Sequence, residues 1–545
     1  MTPIFSLRRK ALLASAAVAA TLGLPAIAAA QAADPASADP REARIEQLEA
    51  EVQSLASEVK DLKREQVEAR QATTARTRVV ADAGSAPAPA SDAVATIAQG
   101  HPAIASDDGR FTANFHGILQ FDAAAYDQAS AGPIASDFRR SGPALGASAS
   151  NVDLTHARDL KDGDDFRRAR IGVDGRAFGD WDYKLIFDFA GSGVENTGQL
   201  YEGWVQYSGF RPLAIRIGAF APSIGLDDQA STNSMPFLER SAVEDVARGL
   251  AAGDTRTAVA LFGSGKHWLA SAAVTGRVVG VLNTGTATAV PQTYGDQLGF
   301  VGRVAATPLW GDDWLVHVGL HGSYVARPAD ATGPGTSGVT PINAYVIALS
   351  NTPELRVDGT KLINTGNIDA RHASSEGAEF AAQKGPFLLQ SEYEYFDVAR
   401  DDPGLASPHF DGWYVSGAWV LTGERRRYNT ATAAFDGPPV NHPFDLAKGG
   451  WGAWELAVRY SDLDLNYRPG QAGTAPSSST IRGGDETNFT AGLNWYPNSF
   501  VRFVLDYQHV RVDRLSPNAA LYQTPTGAQI GQSYNAIGLR SQFAF

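Results

Sequence analysis

From Phe111 onward the chain repeats one pattern: a short run with apolar side chains at every second position, a connector, then another such run. A period of two marks strands whose two faces meet different surroundings. About sixteen runs can be counted, an even number as bacterial membrane barrels require. They lie at 111–125, 165–176, 180–191, 199–208, 211–220, 257–264, 266–275 and 295–307, then at 313–327, 370–383, 385–398, 409–422, 451–463, 486–497, 499–513 and 532–545. The connectors alternate in length. Phe178-Gly179-Asp180, Ser208-Gly209, Ser264-Gly265, Gly311-Asp312, Lys384-Gly385 and Asn498 are tight turns; 126–164, 221–256, 276–294 and 328–369 are among the long insertions between them. Short turns at one end and long loops at the other describe a transmembrane barrel, closed so that no backbone edge is left unpaired in lipid. The expected fold over 109–545 is all-β, a 16-stranded antiparallel transmembrane β-barrel. The connector 423–450 breaks the rule, being long where a short turn is due.

The last run supports the same reading. In Ser533 to Phe545, Ile537, Leu539, Phe543 and the terminal Phe545 share one face, interrupted only by Asn535 and Ser541. No segment after the first thirty residues approaches the roughly 20 consecutive apolar residues of a membrane helix, so any span is made of strands. Those first residues have the form of an export signal: Arg8, Arg9 and Lys10, an apolar stretch from Leu12 to Leu24, and the small residues Ala28-Ala29-Ala30. The absence of cysteine excludes disulfides and thiolate metal sites. A net charge of −13 makes nucleic acid a poor partner.

Between signal and barrel, Ile45, Leu48, Val52, Leu55, Val59 and Leu62 alternate steps of three and four, a heptad seam among charged residues. A coiled coil is expected over 42–70. Residues 71–108, rich in Ala, Pro and Ser around Ala86-Pro87-Ala88-Pro89-Ala90, are expected to be a flexible or extended linker.

Alternation assigns the faces. Ile171, Val173, Leu185, Phe187, Ile215, Ile217, Leu456, Val458, Leu505 and Tyr507 are expected toward lipid. Arg168, Arg170, Asp174, Lys184, Asp188, Arg216, Glu455, Arg459, Arg502 and Asp506 are then inward. A charge facing lipid at mid-membrane costs a few kcal/mol, which constrains these assignments. The histidines have no metal-binding spacing, no phosphate-binding loop motif is present, and no Ser, His and Asp arrangement stands out, so the sequence calls for no cofactor and no enzyme. Arg425-Arg426-Arg427, in the anomalous connector, reads as a solvated turn.

Several ordered motifs carry a resemblance: Phe166-Arg167-Arg168-Ala169-Arg170, Tyr183-Lys184 with Asp188-Phe189, Phe237-Leu238-Glu239-Arg240-Ser241, Leu421-Thr422-Gly423-Glu424 with Arg426 and Tyr428, Gly452-Ala453-Trp454-Glu455-Leu456 with Arg459-Tyr460-Ser461, and Leu493-Asn494-Trp495-Tyr496. Together they resemble the phosphate-selective porin O and P family. The resemblance implies a homotrimeric outer-membrane porin of Gram-negative bacteria, seated in lipid and passing phosphate, polyphosphate or other small anions. It also implies a third loop folded inward, here 221–256, and a long periplasmic connector after Leu-Thr-Gly-Glu. The candidate ion-pathway residues are Arg167, Arg168, Arg170, Lys184, Arg216 and Arg240, with Arg459 and Arg502 secondary. Arginine suits the task because its guanidinium stays charged and forks onto phosphate oxygens. Two alternatives stay open: a porin for another small solute such as a sugar or organic acid, and an envelope tether whose N-terminal coiled coil lies in the periplasm and reaches the cell wall.

Overall fold

The computed structural model describes residues 93–98, 101–128, 160–190, 198–253, 255–279, 297–330, 345–517 and 526–545. The expected signal peptide and coiled coil, and the linker as far as residue 92, lie outside the described residues.

A hairpin, β1 (Ala93–Ala98) and β2 (His101–Ser106), precedes the barrel. The barrel strands are β3 (Thr112–Gln128), β4 (Gly163–Ala177), β5 (Trp181–Asp188), β6 (Gln199–Phe210), β7 (Leu213–Phe220), β8 (Arg256–Gly265), β9 (Trp268–Val278), β10 (Leu298–Trp310), β11 (Trp314–Arg327), β12 (His372–Lys384), β13 (Phe387–Ala399), β14 (His409–Val420), β15 (Ala453–Tyr467), β16 (Ile481–Tyr496), β17 (Val501–Asp513) and β18 (Ser533–Ala544). Each pairs antiparallel with the next, and β18 returns to β3, with Ile537 opposite Ala125 and Leu539 opposite Ala123. This is the closed sixteen-stranded antiparallel barrel read from the alternation.

The seam is sealed by the last residue. Phe545 and Gly117 exchange backbone hydrogen bonds at 3.0 and 3.1 Å. The Phe545 ring lies where a side chain on residue 117 would stand, so a larger residue there would have to displace the ring. Beyond Phe545, β2 continues along the same edge of β3, pairing Ala103 with Asn114 and Ala105 with Thr112. Residues 93–98 and 101–106, expected as the end of a flexible linker, therefore pair as two strands that cover the edge β18 is too short to reach.

Lipid-facing side chains stand outward as expected: Ile171, Leu185, Ile217, Val458, Leu505, Ile537 and Phe543 are all exposed. Trp181, Trp268, Trp314, Trp419 and Trp451 lie beside the connectors expected to be periplasmic and are also exposed, an aromatic girdle at that rim.

Three segments fill the lumen. The first, between β7 and β8, holds α1 (Leu226–Gln229) and α2 (Ala242–Ala251). Val243, Val246, Ala247 and Leu250 recur at helical spacing and are buried against the wall, the stripe that seats an amphipathic helix. No side chain at Ser241 caps α2; the Asp227 carboxylate accepts from Ser241 N at 3.1 Å and Glu354 accepts from Ala242 N at 2.9 Å. Negative charge at a helix N-terminus is favourable. Glu354 belongs to the second segment, 345–369, which enters from the same rim and buries Leu349, Leu355, Leu362 and Ile363. The third is the long connector after β14, which enters from the opposite rim. It buries Ala434 and Phe435 near Leu226 and Phe237, and Ala433 near Leu269 and Ala305. Its Arg426 is not in a solvated turn: it is buried, holds Glu455 through two nitrogens at 2.6 and 2.8 Å, and donates to Ser234 O at 2.9 Å.

Candidate functional site

The filling is lopsided. Along β13, the inward Leu388, Gln390, Glu392, Glu394 and Phe396 are all buried. Along β4 to β7, the inward Asp174, Lys184, Glu202, Trp204, Gln206 and Arg216 are only half-buried. The open lumen therefore runs along the β4–β7 wall. At its short-turn end it widens to a cavity of about 530 Å³ lined by Asn114, Asp174, Arg176, Lys184, Trp204 and Gln206, among others.

Five of the six residues expected on the pathway sit at different depths along this wall, and the sixth, Arg240, is on the inward loop. Arg167 and Arg168 are neighbours that both turn inward. The β3–β4 register pairs Arg168 with Gln120 and Phe166 with Phe121, leaving Arg167 as the extra residue of a bulge. Arg167 grips Glu239 at 2.7 and 3.1 Å; Arg168 donates to Gln120 at 2.7 Å and lies 3.8 Å from Glu239. Arg170 pairs with Asp188 at 2.7 Å and stacks on the Tyr201 ring at 3.4 Å. Lys184 meets Glu202 at 3.1 Å in the wide end. Among the described residues Arg216 has no carboxylate within ion-pair distance; it bonds Gln206 at 2.9 Å and lies over the Trp204 ring at 4.0 Å.

Arg240, on the inward loop, donates to the carbonyls of Asp228 and Ala230 at 2.9 and 3.3 Å and lies 3.8 Å from the Asp228 carboxylate. Arg248, one turn from the end of α2, takes the same carboxylate at 2.7 Å. Two guanidinium groups thus share one acid. The charges of Arg240 and Arg248 both act on Tyr201, whose ring Arg170 covers. Arg356, from the second inward segment, lies 3.8 Å from Glu239 and 2.6 Å from Asp245.

The pairs are oriented. The Arg240 and Arg248 side chains are 11% and 13% exposed, while their shared partner Asp228 is 2% exposed. Arg170 at 8% covers Asp188 at 2%, and Arg356 at 18% stands in front of Glu239 at 7%. Asp245, at 19%, instead matches the exposure of the arginine it touches, and Glu239 is slightly more exposed than Arg167, Arg168 and Arg540 behind it. At the narrow point the lumen meets guanidinium groups first, with most of the carboxylates behind them.

Glu239 is the hub behind this surface. Arg167, Arg168, Arg356 and Arg540 converge on it, the last at 2.9 Å. It lies in the loop rather than in a strand, and the surrounding cations hold its carboxyl well below the usual carboxylate range despite its burial.

Arg459 and Arg502, the secondary expectations, face inward but serve the loop. Arg459 binds Glu354 at 2.6 Å and the Glu239 carbonyl at 3.0 Å; Arg502 donates to the carbonyls of Asn233 and Met235. Sequence reasoning did not single out Arg248 or Arg540. Arg540 could have been found by its inward phase in the closing strand, whereas Arg248 sits on a loop helix with no strand phase to place it.

A closed barrel with inward-folded loops and a charged passage along one wall defines the outer-membrane porins, channels rather than enzymes. Residues 143–545 match the family described as phosphate-selective porin O and P, and this chain belongs to that family. It is 27% identical over 372 residues to Porin O of Pseudomonas aeruginosa, covering 65% of this chain and 78% of that protein. An uncharacterized protein of Caulobacter vibrioides is 25% identical over 352 residues, covering 64% of this chain and 63% of the other. Among solved structures, a loop-deletion mutant of Vibrio cholerae OmpT aligns over 80% of this chain and all of its own at 12% identity, TM-score 0.44. An anion-selective porin from Comamonas acidovorans aligns over 80% and 100% at 11% identity, TM-score 0.42.

Proposed function

We propose that this porin passes phosphate and other small inorganic anions by diffusion along the β4–β7 wall, past Arg216 and Lys184 in the wide end and Arg170, Arg240, Arg248 and Arg356 in the narrow one. The orientation of the ion pairs carries this reading: most of the exposed partners are cations and the recessed ones mainly carboxylates. Selective conduction needs charges strong enough to draw the ion from water and shared enough to release it. A guanidinium whose partner is a buried acid, or an acid shared with a second arginine, keeps part of its field for a passing anion. Arg167 and Arg168 act from behind, by holding the loop and adding positive potential.

Reconstituted in a planar bilayer, the protein is expected to prefer chloride over potassium and to be blocked by millimolar phosphate. Cation preference would overturn the anion assignment; chloride preference without phosphate block would retain the anion channel and remove phosphate. An organic anion is favoured to a lesser degree by the Trp204 and Tyr201 rings beside Arg216 and Arg170, and competition of a benzoate-type acid against phosphate block separates the two.

In this reading the protein works as a homotrimer, with residues 1–30 removed on export and 42–70 forming a periplasmic coiled coil that aids assembly or reaches the cell wall. Deleting residues 31–90 distinguishes the roles. Envelope detachment with unchanged conductance marks a tether; dissociation into monomers marks an assembly aid.

A further inference from the structure

The far side of α2 from the passage carries a second group of charges that the anion pathway does not use. Glu244 is fully buried, and among the described residues neither oxygen of its carboxylate has a hydrogen-bond partner. Its carboxylate faces Glu392 of β13 and His321 of β11, and one ligand atom from each of the three lies within 4.8 Å of the other two. Gly225 makes room for this approach: a side chain there would collide with Glu244 Oε2 and stand 3.1 Å from Glu392 Oε1.

Charge is out of balance here. Glu244, Glu379, Glu392 and Glu394 are buried acids, and the cations among them are Arg303 and, when protonated, His317 and His321. Arg303 is committed to Glu379 through two bonds at 2.8 and 2.7 Å. Burying an uncompensated carboxylate costs several kcal/mol. A carboxylate with no donor on either oxygen, facing a second acid, is an environment a cation would complete.

We propose that Glu244, Glu392 and His321 form a site for one divalent transition-metal ion, of the Mn²⁺ or Zn²⁺ class, which staples the inward loop to the barrel wall. The surroundings have the form such a site requires. His321 Nδ1 lies 2.8 Å from Glu379 Oε1, and Arg303 fixes Glu379 in turn. A ligating imidazole commonly donates its other N–H to a carboxylate, which orients the ring and raises its basicity. Glu392 is held by Asp227 N at 2.9 Å and Tyr414 Oη at 2.6 Å. His321 Nε2 faces Glu394, whose second oxygen has no partner. On binding, the Nε2 proton leaves to solvent, the ion takes its place, and Glu394 becomes a further oxygen ligand. One nitrogen among carboxylate oxygens suits manganese or zinc better than calcium, which takes oxygen alone.

The test uses the full-length protein in detergent, stripped with a chelator, equilibrated separately with MnCl₂ and ZnCl₂, and passed through gel filtration before elemental analysis. About one ion should be retained per chain, and Glu244→Gln should weaken uptake at least tenfold while the barrel still migrates as a folded band. Electron spin-echo spectroscopy of the manganese-loaded wild type should show coupling to one imidazole nitrogen, a readout that needs no variant. Retention below about a tenth of an ion per chain, equal uptake by the variant, or manganese without nitrogen coupling overturns the proposal.

Discussion

Arg167 reaches Glu239 through two nitrogens, at 2.7 and 3.1 Å, and so joins the barrel wall to the tip of the loop that narrows the lumen. The contact exists because a bulge turns two successive side chains of β4 inward, where regular alternation would admit one. Arg168 and Arg540 approach the same carboxylate from the wall, so Glu239 is the point at which loop and barrel are electrostatically fastened.

Replacing Glu239 by glutamine removes the charge that four arginines surround. Breaking a buried ion pair by deleting one partner typically costs about 3–5 kcal/mol, and Glu239→Gln should lower stability by about the lower figure. Guanidinium unfolding in detergent measures it. An unchanged midpoint would mean that the arginines re-pair without loss.

The same carboxyl sets an acid-stability window. Its folded-state pKa lies well below the ordinary 4.5, so the pairing contributes fully above the unfolded value and is lost only as pH falls through the depressed one. Conductance and anion selectivity should persist from neutral pH to just above 4.5, with loosening of the loop confined to stronger acid. Single-channel noise followed during acidification checks this; loop gating that begins near pH 6 would contradict it.

Arg240 and Arg248 compete for Asp228, and the shorter contact belongs to Arg248. Arg248→Ala removes one guanidinium and leaves the acid wholly to Arg240, so phosphate block should weaken about tenfold, or about 1.4 kcal/mol. Asp228→Asn should act in the opposite direction and strengthen block. If both substitutions weaken it equally, the acid is a structural support and not a local neutraliser.

Arg216 stacks on Trp204 with no acidic partner in reach among the described residues, so its charge is available to ions entering the wide end. Arg216→Gln should reduce chloride conductance at low salt and have little effect at about 1 M, where the screening length falls to about 3 Å. An equal loss at both salt concentrations would point to a change in pore width.

The barrel was readable because lipid on one side and polar contents on the other impose a period of two, a local signal that needs no knowledge of partners. Phe111 to Phe545 therefore yielded sixteen strands close to their observed bounds, and Ile171, Leu185 and Leu505 on their observed face. What lies inside was not legible in the same way. A bulge is invisible to strict alternation, so the inward turn of Arg167 had to come from the motif resemblance. Pairing is set by closure: Arg540 meets Asp122 across 418 residues, and Arg356 meets Asp245 across 111. The grouping of Glu244, His321 and Glu392 is likewise assembled from a loop helix and two strands, and no spacing rule could have raised it. The plug formed by the connector after β14 was foreseen only as an extra length of chain, and Arg426 as a solvated residue, because burial in a lumen leaves no alternating trace.

The bond from Arg426 to the Ser234 carbonyl joins a segment entering from the periplasmic rim to one entering from the cell surface. The two rims are therefore mechanically linked through the middle of the pore. A displacement of the connector that carries Arg426 would pull on Ser234, in the same inward loop as Arg240.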